Sequence, residues 1–354
     1  MKKVLYIIPS LELGGAEMLL INHLNKLDLA FYKPTLLIVG NKTSLISHVN
    51  RDVAIILINA SKSNYLLKLP KIFLTVKSLK PDVIHSHLYK ANILSRFVGI
   101  FTNAIVINHY HGLSRWMSKP KLIFDKITQP LMDSCVVVSD KSYALRLKRE
   151  KIKPSKLKLI YNFINQFPES IKYKEITGET LTLGMACRLI PLKNIPSVIS
   201  LVKYLNENGL SVNLEIAGSG PEQDRISSLI KELDLSNNIK LLGFQSDLEA
   251  FYKRINIYVI SSETEDFPLS LAESMSYGCA VISSDVGGIK NVIDQGEGLV
   301  VNRVDNNSFE TILNYIKNLD FELVYYKNRK LSKSLFHYSI YSSKMVNLYT
   351  KNGR

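Results

Sequence analysis

Short apolar runs alternate with helix-like segments along almost the whole chain, and this alternation limits the fold to a few α/β architectures. The runs are rich in β-branched residues and show little polar alternation, which is typical of parallel strands buried on both faces. They cover residues 4–8, 34–39, 53–57, 83–85, 105–108, 135–139, 181–187, 212–217, 239–242, 257–261 and 280–283. Helical periods lie between them, for example at residues 16–27, 194–206, 221–233 and 269–277. The βα order predicts doubly wound sheets, and its two series of strands predict two Rossmann-like domains.

A polar stretch separates the two series. Residues 165–180 contain Pro168 and have little hydrophobic periodicity, as expected of a linker. A chain of 354 residues is also long enough for two cores. We therefore expect one domain over residues 1–170, a second over residues 171–334, and a final helical segment over residues 335–354.

The cysteines and the apolar runs indicate the compartment. Cys135, Cys187 and Cys279 are far apart and fit neither a disulfide framework nor a metal spacing, which favours free thiols in a reducing compartment. The first apolar run ends at Pro9, which makes it shorter than the hydrophobic region of a signal peptide. No stretch approaches the roughly 20 apolar residues of a membrane-spanning helix. We therefore expect a cytoplasmic protein.

The net charge of +14 is unevenly distributed. Residues 1–170 carry a net charge of +15 and residues 171–354 a net charge of −1. This asymmetry predicts that the first half contacts an anionic surface, either nucleic acid or anionic lipid, with a merely soluble basic surface as the alternative. No nucleic-acid-binding motif is present. Residues 65–80 combine four lysines, preceded by Lys62, with leucines at helical spacing, so this helix either rests on a membrane or packs on the core with a lysine face.

Two loops have the composition of phosphate-binding sites. Gly14 and Gly15 follow the first strand and open a helix, where free amides favour an anion, although a plain turn is equally consistent. Arg188 and Lys193 follow the strand at 181–187 and can clamp a diphosphate, although a solvated basic loop has the same composition.

Three further strand ends of the second half carry similar loops. Gly218 lies in a Gly-Ser-Gly-Pro turn after the strand at 212–217, where a plain strand–helix turn is slightly favoured when the loop is taken alone, and another Gly-Gly turn follows the strand at 280–283. Between them, Glu265 lies on a loop and Glu273 lies eight residues later in a helix with apolar neighbours. Such a glutamate pair is usually solvent-exposed, but a carboxylate among the apolar neighbours of Glu273 is costly without a partner, so both residues are candidates for binding hydroxyl groups of a ligand.

Histidines follow two strands of the first half. His109 and His111 are two residues apart, as are His85 and His87, so each pair lies on one face of a strand. Together they offer enough imidazoles for zinc, but no carboxylate or cysteine spacing accompanies them. A ligand-contacting role at the strand end is therefore favoured over a metal.

In combination these motifs resemble the retaining family 4 glycosyltransferases, which have the GT-B fold. The resemblance covers nearly the whole chain in order. It includes Gly14–Gly15, His111–Gly112, residues 160–165, Arg188 with Lys193, residues 217–221, Gly243–Phe244, the Glu265–Glu273 element and Gly287–Gly288. The Glu265–Glu273 element and the Arg188–Lys193 pair are its specific parts.

The resemblance implies two Rossmann-like doubly wound domains facing a cleft, with a C-terminal helix that crosses back onto the N-terminal domain. The N-terminal domain would bind the acceptor and the C-terminal domain the nucleotide-sugar donor. The implied catalytic residues are Arg188, Lys193, Glu265 and His111, and the implied donor-binding residues are Gly15, Gly218, Gly243, Phe244, Phe267, Pro268, Leu269 and Glu273. Arg188 and Lys193 would neutralise the diphosphate in place of a metal, so no metal cofactor is expected.

The implied activity is transfer of a hexose or an N-acetylhexosamine to a glycan or a polyprenyl-diphosphate-linked glycan. Bacterial capsule, lipopolysaccharide or exopolysaccharide synthesis is the expected pathway, with the enzyme at the inner face of the cytoplasmic membrane. A GT-B nucleotide-sugar 2-epimerase and a non-catalytic binding protein for nucleotide sugars or nucleic acid are the alternatives. The Glu265–Glu273 element argues against the epimerase. Asp266 stands where the family commonly has glycine, which leaves the donor sugar open.

Overall fold

The structure, a computed structural model, describes residues 1–113, 117–173 and 180–350. It divides into two units: unit 1 comprises residues 1–165 and 338–354, and unit 2 comprises residues 166–337. Part of the expected linker, residues 174–179, lies outside the described residues.

Unit 1 is built on a seven-stranded parallel sheet. Its strands are β1 (Lys2–Ile8), β2 (Tyr32–Ile38), β3 (Ala54–Leu57), β4 (Val83–His87), β5 (Ile105–Tyr110), β6 (Ser134–Val137) and β7 (Leu157–Leu159). The helices between them are α1 (Gly15–Lys26), α2 (Tyr65–Leu79), α3 (Tyr89–Gly99), α4 (Lys119–Thr128) and α5 (Asp140–Lys148). The strand order is β3-β2-β1-β4-β5-β6-β7, so the winding reverses between β1 and β4. The core lies between the sheet and its helices, where Leu5 and Ile84 pack with Ile72 and Val76 of α2.

Unit 2 repeats this plan with six strands. They are β8 (Thr180–Ala186), β9 (Ser211–Ala217), β10 (Ile239–Gly243), β11 (Ile257–Ile260), β12 (Ala280–Ser284) and β13 (Gly298–Val301). The helices are α6 (Ile195–Glu207), α7 (Gln223–Glu232), α8 (Glu249–Arg254), α9 (Leu269–Ser276), α10 (Ile289–Ile293), α11 (Phe309–Lys317) and α12 (Phe321–Phe336). The order β10-β9-β8-β11-β12-β13 places the reversal between β8 and β11.

The predicted α/β class with two doubly wound sheets is confirmed. Each of the predicted runs corresponds to a strand whose ends differ by no more than two residues. The sequence pattern missed β7 and β13, because a three-residue strand and a strand that starts at a glycine are too short for a periodicity.

The C-terminal segment differs in detail from the expected single helix beginning at residue 335. Helix α12 ends at Phe336, His337 adopts an extended backbone (ψ 141°), and a new helix, α13 (Tyr338–Tyr349), follows. Helix α13 belongs to unit 1, where Phe163 packs on Tyr341 with a ring-centroid distance of 4.7 Å.

A buried arginine ties helices of unit 1 to its sheet. Arg96 on α3 is fully buried, and its guanidinium forms an ion pair of 3.0 Å with Asp125 on α4. The same group donates to Asn108 of β5 at 2.7 Å and to the hydroxyl of Tyr110 at 2.7 Å. Because each bond satisfies a donor that would otherwise be unpaired in the core, the arginine fixes α3 and α4 against β5.

No helix among the described residues combines the length and the apolar character needed to cross a bilayer.

Candidate functional site

The loops of unit 2 collect at one edge of its sheet. All six strands are parallel, so the segments that follow β8, β9, β10, β11 and β12 emerge on the same side. In open α/β sheets, ligands bind outside the carboxyl ends of the strands where the winding reverses. In unit 2 that position lies beyond β8 and β11.

An ion pair joins the loops that follow these two strands. Lys193 comes after β8 and Glu265 after β11, and the ammonium group contacts the carboxylate directly. Both side chains are half-buried, with 22% and 15% of their surfaces exposed. The hydroxyl of Ser262 donates to the same carboxylate oxygen at 2.9 Å, and Ser261 donates to the carbonyl of Lys193 at 2.7 Å. Each loop therefore holds the charged group of the other in place.

The β8 loop also carries Arg188, whose side chain is exposed. Its neighbour Cys187 is half-buried, and burial raises the pKa of the thiol to about 11 although Lys193 lowers it. Cys187 is therefore a neutral thiol at physiological pH and does not act as a nucleophile.

The glycines after β9 have a packing role. Gly218 has a φ of +144°, and a Cβ there would lie 1.8 Å from the carbonyl oxygen of Cys187. A Cβ on Gly220 would lie 2.3 Å from the carbonyl oxygen of Leu189. These residues let the β9 loop lie directly against the β8 loop, which is a structural reason for glycine whether or not a ligand approaches.

The end of β10 is more open. Gly243 has a φ of +67°, but no atom lies within 4 Å of where its Cβ would be. Phe244 beside it is 59% exposed. An exposed aromatic ring at this sheet edge is a suitable surface for stacking a planar ligand.

Glu273 lies on α9, and its carboxylate is hydrogen-bonded by a residue of another helix, α8. The hydroxyl of Tyr252 on α8 donates to its carboxylate at 2.7 Å, and burial raises the pKa of Glu273 although this bond lowers it. The turn into α9 consists of Phe267, Pro268 and Leu269, with Pro268 at the N-cap. Phe267 is buried, whereas Pro268 and Leu269 are half-buried at the start of the helix.

In unit 1, Gly15 and His111 follow β1 and β5. Gly15 is exposed at the start of α1, and no atom lies within 4 Å of where its Cβ would be, so packing does not require glycine there. The Nε2 atom of His111 lies 3.0 Å from Nδ1 of His87. Burial lowers the pKa of His111 to about 3, so its ring is neutral at physiological pH.

The structure thus brings Lys193 and Glu265 into contact and holds Glu273 separately. The sequence analysis missed two supporting residues, Ser262 and Tyr252. Ser262 lies beside Glu265 in the same loop and was recognisable as a nearby hydroxyl. Tyr252 is 21 residues from Glu273, and no local spacing links them.

Two family models match consecutive parts of the chain. The model for glycosyltransferase family 4 matches residues 13–166, and the model for glycosyl transferases group 1 matches residues 166–331. The chain belongs to the family 4 glycosyltransferases.

Curated relatives of this glycosyltransferase include two that are 26% identical to it. One is the UDP-Gal:alpha-D-GlcNAc-diphosphoundecaprenol alpha-1,3-galactosyltransferase of Escherichia coli, aligned over 71% of this chain and 70% of that protein. The other is the N-acetylgalactosamine-N,N'-diacetylbacillosaminyl-diphospho-undecaprenol 4-alpha-N-acetylgalactosaminyltransferase of Campylobacter jejuni, aligned over 87% of this chain and 88% of that protein.

Among solved structures, HepE of Anabaena in complex with UDP superposes with a TM-score of 0.81 at 18% identity. The match covers 98% of this glycosyltransferase and 99% of HepE. The predicted GT-B fold and the predicted enzyme class are both confirmed. Nothing in these comparisons supports the epimerase alternative.

Proposed function

We propose that this glycosyltransferase moves a sugar, with retention of its anomeric configuration, from a nucleoside diphosphate sugar to a lipid-linked glycan. The observation that carries the proposal is the Lys193–Glu265 ion pair at the reversal of the unit 2 sheet. This ion pair supports the proposal because it combines a cation suited to a diphosphate with a carboxylate suited to sugar hydroxyls. UDP is the first nucleotide to test, because the E. coli relative is named for UDP-Gal and HepE was solved with UDP.

The proposed chemistry depends on the charge of the leaving diphosphate. Cleavage of the bond between the sugar and phosphate places negative charge on the diphosphate, which Lys193 and Arg188 stabilise most in the transition state. Glu265 accepts hydrogen bonds from hydroxyls of the transferred sugar. Because Glu265 is held by an ion pair and Cys187 is a neutral thiol, neither is assigned as a nucleophile. The leaving phosphate oxygen takes the acceptor's proton on the same face of the sugar.

Other residues are proposed to bind the donor without taking part in bond breaking. Glu273, which is half-buried, binds the ribose diol through its carboxylate, and Gly243 and Phe244 contact the base. Gly218 and residues 267–269 bring backbone groups to the phosphates. In unit 1, Gly15 contacts the diphosphate and the neutral His111 contacts the sugar near the reacting carbon. Unit 1 is proposed to bind the acceptor.

A product assay tests the proposal. The purified chain is incubated with UDP-sugars and a polyprenyl-diphosphate-linked acceptor, and UDP release and the anomeric configuration of the product are measured by NMR. We expect an α-linked product from an α-linked donor and a large loss of rate in R188A and K193A, with K203A as the charge-matched control on α6. A donor converted to an isomeric sugar without transfer, or an inverted product, contradicts the proposal.

We also propose that unit 1 rests on an anionic membrane surface through α2. Ile72 and Val76 of this helix are buried in the core, whereas Leu66, Leu67 and Leu74 are between 68% and 80% exposed. Lysines 68, 71 and 77 lie among them. A second exposed apolar face on α4 contains Ile123 and Ile127. The combination of exposed leucines and lysines is typical of a helix that lies in the membrane interface.

Vesicle flotation tests the membrane contact. Each lysine near an anionic surface contributes about 1 kcal/mol, so K71A/K77A is expected to weaken binding to phosphatidylglycerol vesicles by about 30-fold. L66S/L67S is expected to weaken it as well, whereas K203A/K317A in unit 2 serves as a charge-matched control. Equal flotation of all variants contradicts a membrane contact through α2.

A further inference from the structure

Three histidines converge at the carboxyl ends of two neighbouring strands of unit 1. His85 and His87 lie on β4 and His109 lies on β5, where His87 and His109 are partners in the strand register. All three side chains are fully buried. One ring nitrogen from each lies within 4.8 Å of the others.

Two nitrogens of this histidine cluster lack a hydrogen-bond partner. Nε2 of His87 and Nε2 of His109 are buried, and neither makes a hydrogen bond within the part of the chain that the structure describes. A buried polar atom without a partner costs free energy, and most such atoms in folded proteins are satisfied. Hydrogen bonding among the described residues therefore does not account for these two nitrogens.

The opposite ring nitrogens are engaged. Nδ1 of His87 lies 3.0 Å from Nε2 of His111, and Nδ1 of His109 lies 3.3 Å from Nε2 of His85. Nδ1 of His85 in turn lies 2.9 Å from the hydroxyl of Tyr349 on α13. Assigning the hydrogens of His87 and His109 to Nδ1 makes both rings donors in these bonds and leaves a lone pair on each Nε2. Metal-binding histidines commonly have this arrangement, in which one nitrogen binds the ion and the other donates to a neighbour.

The donor set of the histidine cluster determines which ions fit it. The cluster contains imidazoles alone, without the carboxylates that magnesium and calcium prefer. Imidazole suits zinc, cobalt, nickel and copper.

We propose that the histidine cluster binds one divalent transition-metal ion, with Nε2 of His87 and Nε2 of His109 as the primary ligands. His85 supplies the third imidazole when its 3.3 Å contact with His109 is exchanged for a bond to the metal, and the Nδ1 hydrogen of His109 then needs a new acceptor. The fourth tetrahedral position takes an exchangeable ligand such as water. The ion fixes the ends of β4 and β5 and, through His87, the position of His111.

This inference revises the sequence-based expectation that the protein holds no metal. It does not rest on the proposed sugar transfer, in which Arg188 and Lys193 stabilise the diphosphate.

Metal analysis of the full chain tests the inference. The protein is incubated with excess Zn²⁺ or Co²⁺, passed through a desalting column, and measured by inductively coupled plasma mass spectrometry. We expect about one equivalent of metal per chain, and for Co²⁺ the visible absorption of a four-coordinate site. H87A/H109A is expected to retain less than about a tenth of an equivalent.

The matched control replaces two histidines outside the cluster. H48A/H337A removes the same number of imidazoles and is expected to keep the full equivalent of metal. Circular dichroism checks that H87A/H109A is folded. If the variant is unfolded, the proposal is tested by the visible Co²⁺ spectrum of the unaltered chain. Unaltered protein that retains no stoichiometric metal and shows no visible Co²⁺ band overturns the proposal, as does full retention by folded H87A/H109A.

Discussion

Replacement of Lys193 by methionine separates the electrostatic role of this residue from its packing role. Methionine keeps most of the aliphatic stem and removes the charge. The side chain of Lys193 is 22% exposed, so its charge acts in a medium less polar than bulk water. Two unit charges about 4 Å apart interact by about 4 kcal/mol at an effective dielectric constant of about 20. Removal of one preorganised donor from an enzyme typically costs about 100- to 1000-fold in kcat, and we expect a loss of that size for K193M.

The assay is steady-state UDP release at saturating acceptor, with K203M as the control. K203M removes the same charge from α6, where Lys203 forms only a 3.9 Å contact with Glu207. We expect its kcat/KM to remain within about twofold of the unaltered enzyme, because surface ion pairs contribute little. A K193M variant whose kcat/KM stays within tenfold of the unaltered enzyme refutes the assignment of Lys193 to the leaving group.

The partner carboxylate gives a second, independent readout. Among the described residues, K193M leaves the half-buried Glu265 with the hydroxyl of Ser262 as its remaining side-chain partner, which is expected to destabilise the protein by about 1–3 kcal/mol. Adding E265Q removes the unpaired charge, so the double variant is expected to regain stability while remaining inactive. Recovery of activity together with stability contradicts a catalytic role for Lys193 and indicates a structural one.

Three further predictions concern other parts of the molecule. G218A is expected to destabilise the protein by about 3 kcal/mol or more, because its Cβ would lie 1.8 Å from a carbonyl oxygen. G243A is expected to cost about 1 kcal/mol, because it adds backbone strain without a steric clash. Denaturant unfolding measures the free energy of unfolding of both variants. Donor affinity, measured by calorimetry, is expected to weaken as pH falls through the raised pKa of Glu273. Y252F is expected to move this loss of affinity to higher pH, because it removes the hydrogen bond that lowers that pKa. The same pH dependence of donor affinity in Y252F and the unaltered protein contradicts the assignment of Glu273 to the ribose. R96M is expected to lower unfolding free energy by about 3–5 kcal/mol, because it leaves a buried carboxylate without its partner; a change below 1 kcal/mol contradicts this.

The raised pKa of Glu273 also predicts how the stability of the protein changes with pH. Its pKa is raised above the usual 4.5, so the folded state binds this proton more tightly than the unfolded state. The contribution of Glu273 to stability is therefore fully present below about pH 4.5 and is lost as pH rises through the raised value. E273Q is expected to flatten this part of the pH dependence of the melting temperature.

Patterns along the sequence were sufficient to predict the class of fold and the loops that lie together at the edge of the unit 2 sheet. Strands β8, β9, β11 and β12 were predicted to within two residues, because buried parallel strands are continuous β-branched runs. Loops that follow successive parallel strands must emerge at one edge, so the grouping of Arg188, Lys193 and Glu265 in one region followed from local pattern alone. The roles of these residues came from their resemblance to a family.

The contacts between distant side chains, in contrast, follow from the folded structure and not from local patterns. Tyr252 reaches Glu273 across two helices, and Gly218 is required by a carbonyl of a different loop. The histidine cluster combines β4 and β5, and His85 bonds Tyr349, which lies 264 residues further along the chain. Such contacts depend on how separate strands and helices pack, and periodicity reports only the near neighbours of each residue along one element. The buried Nε2 atoms of His87 and His109 could therefore be identified only from the arrangement of β4 and β5 in the folded sheet.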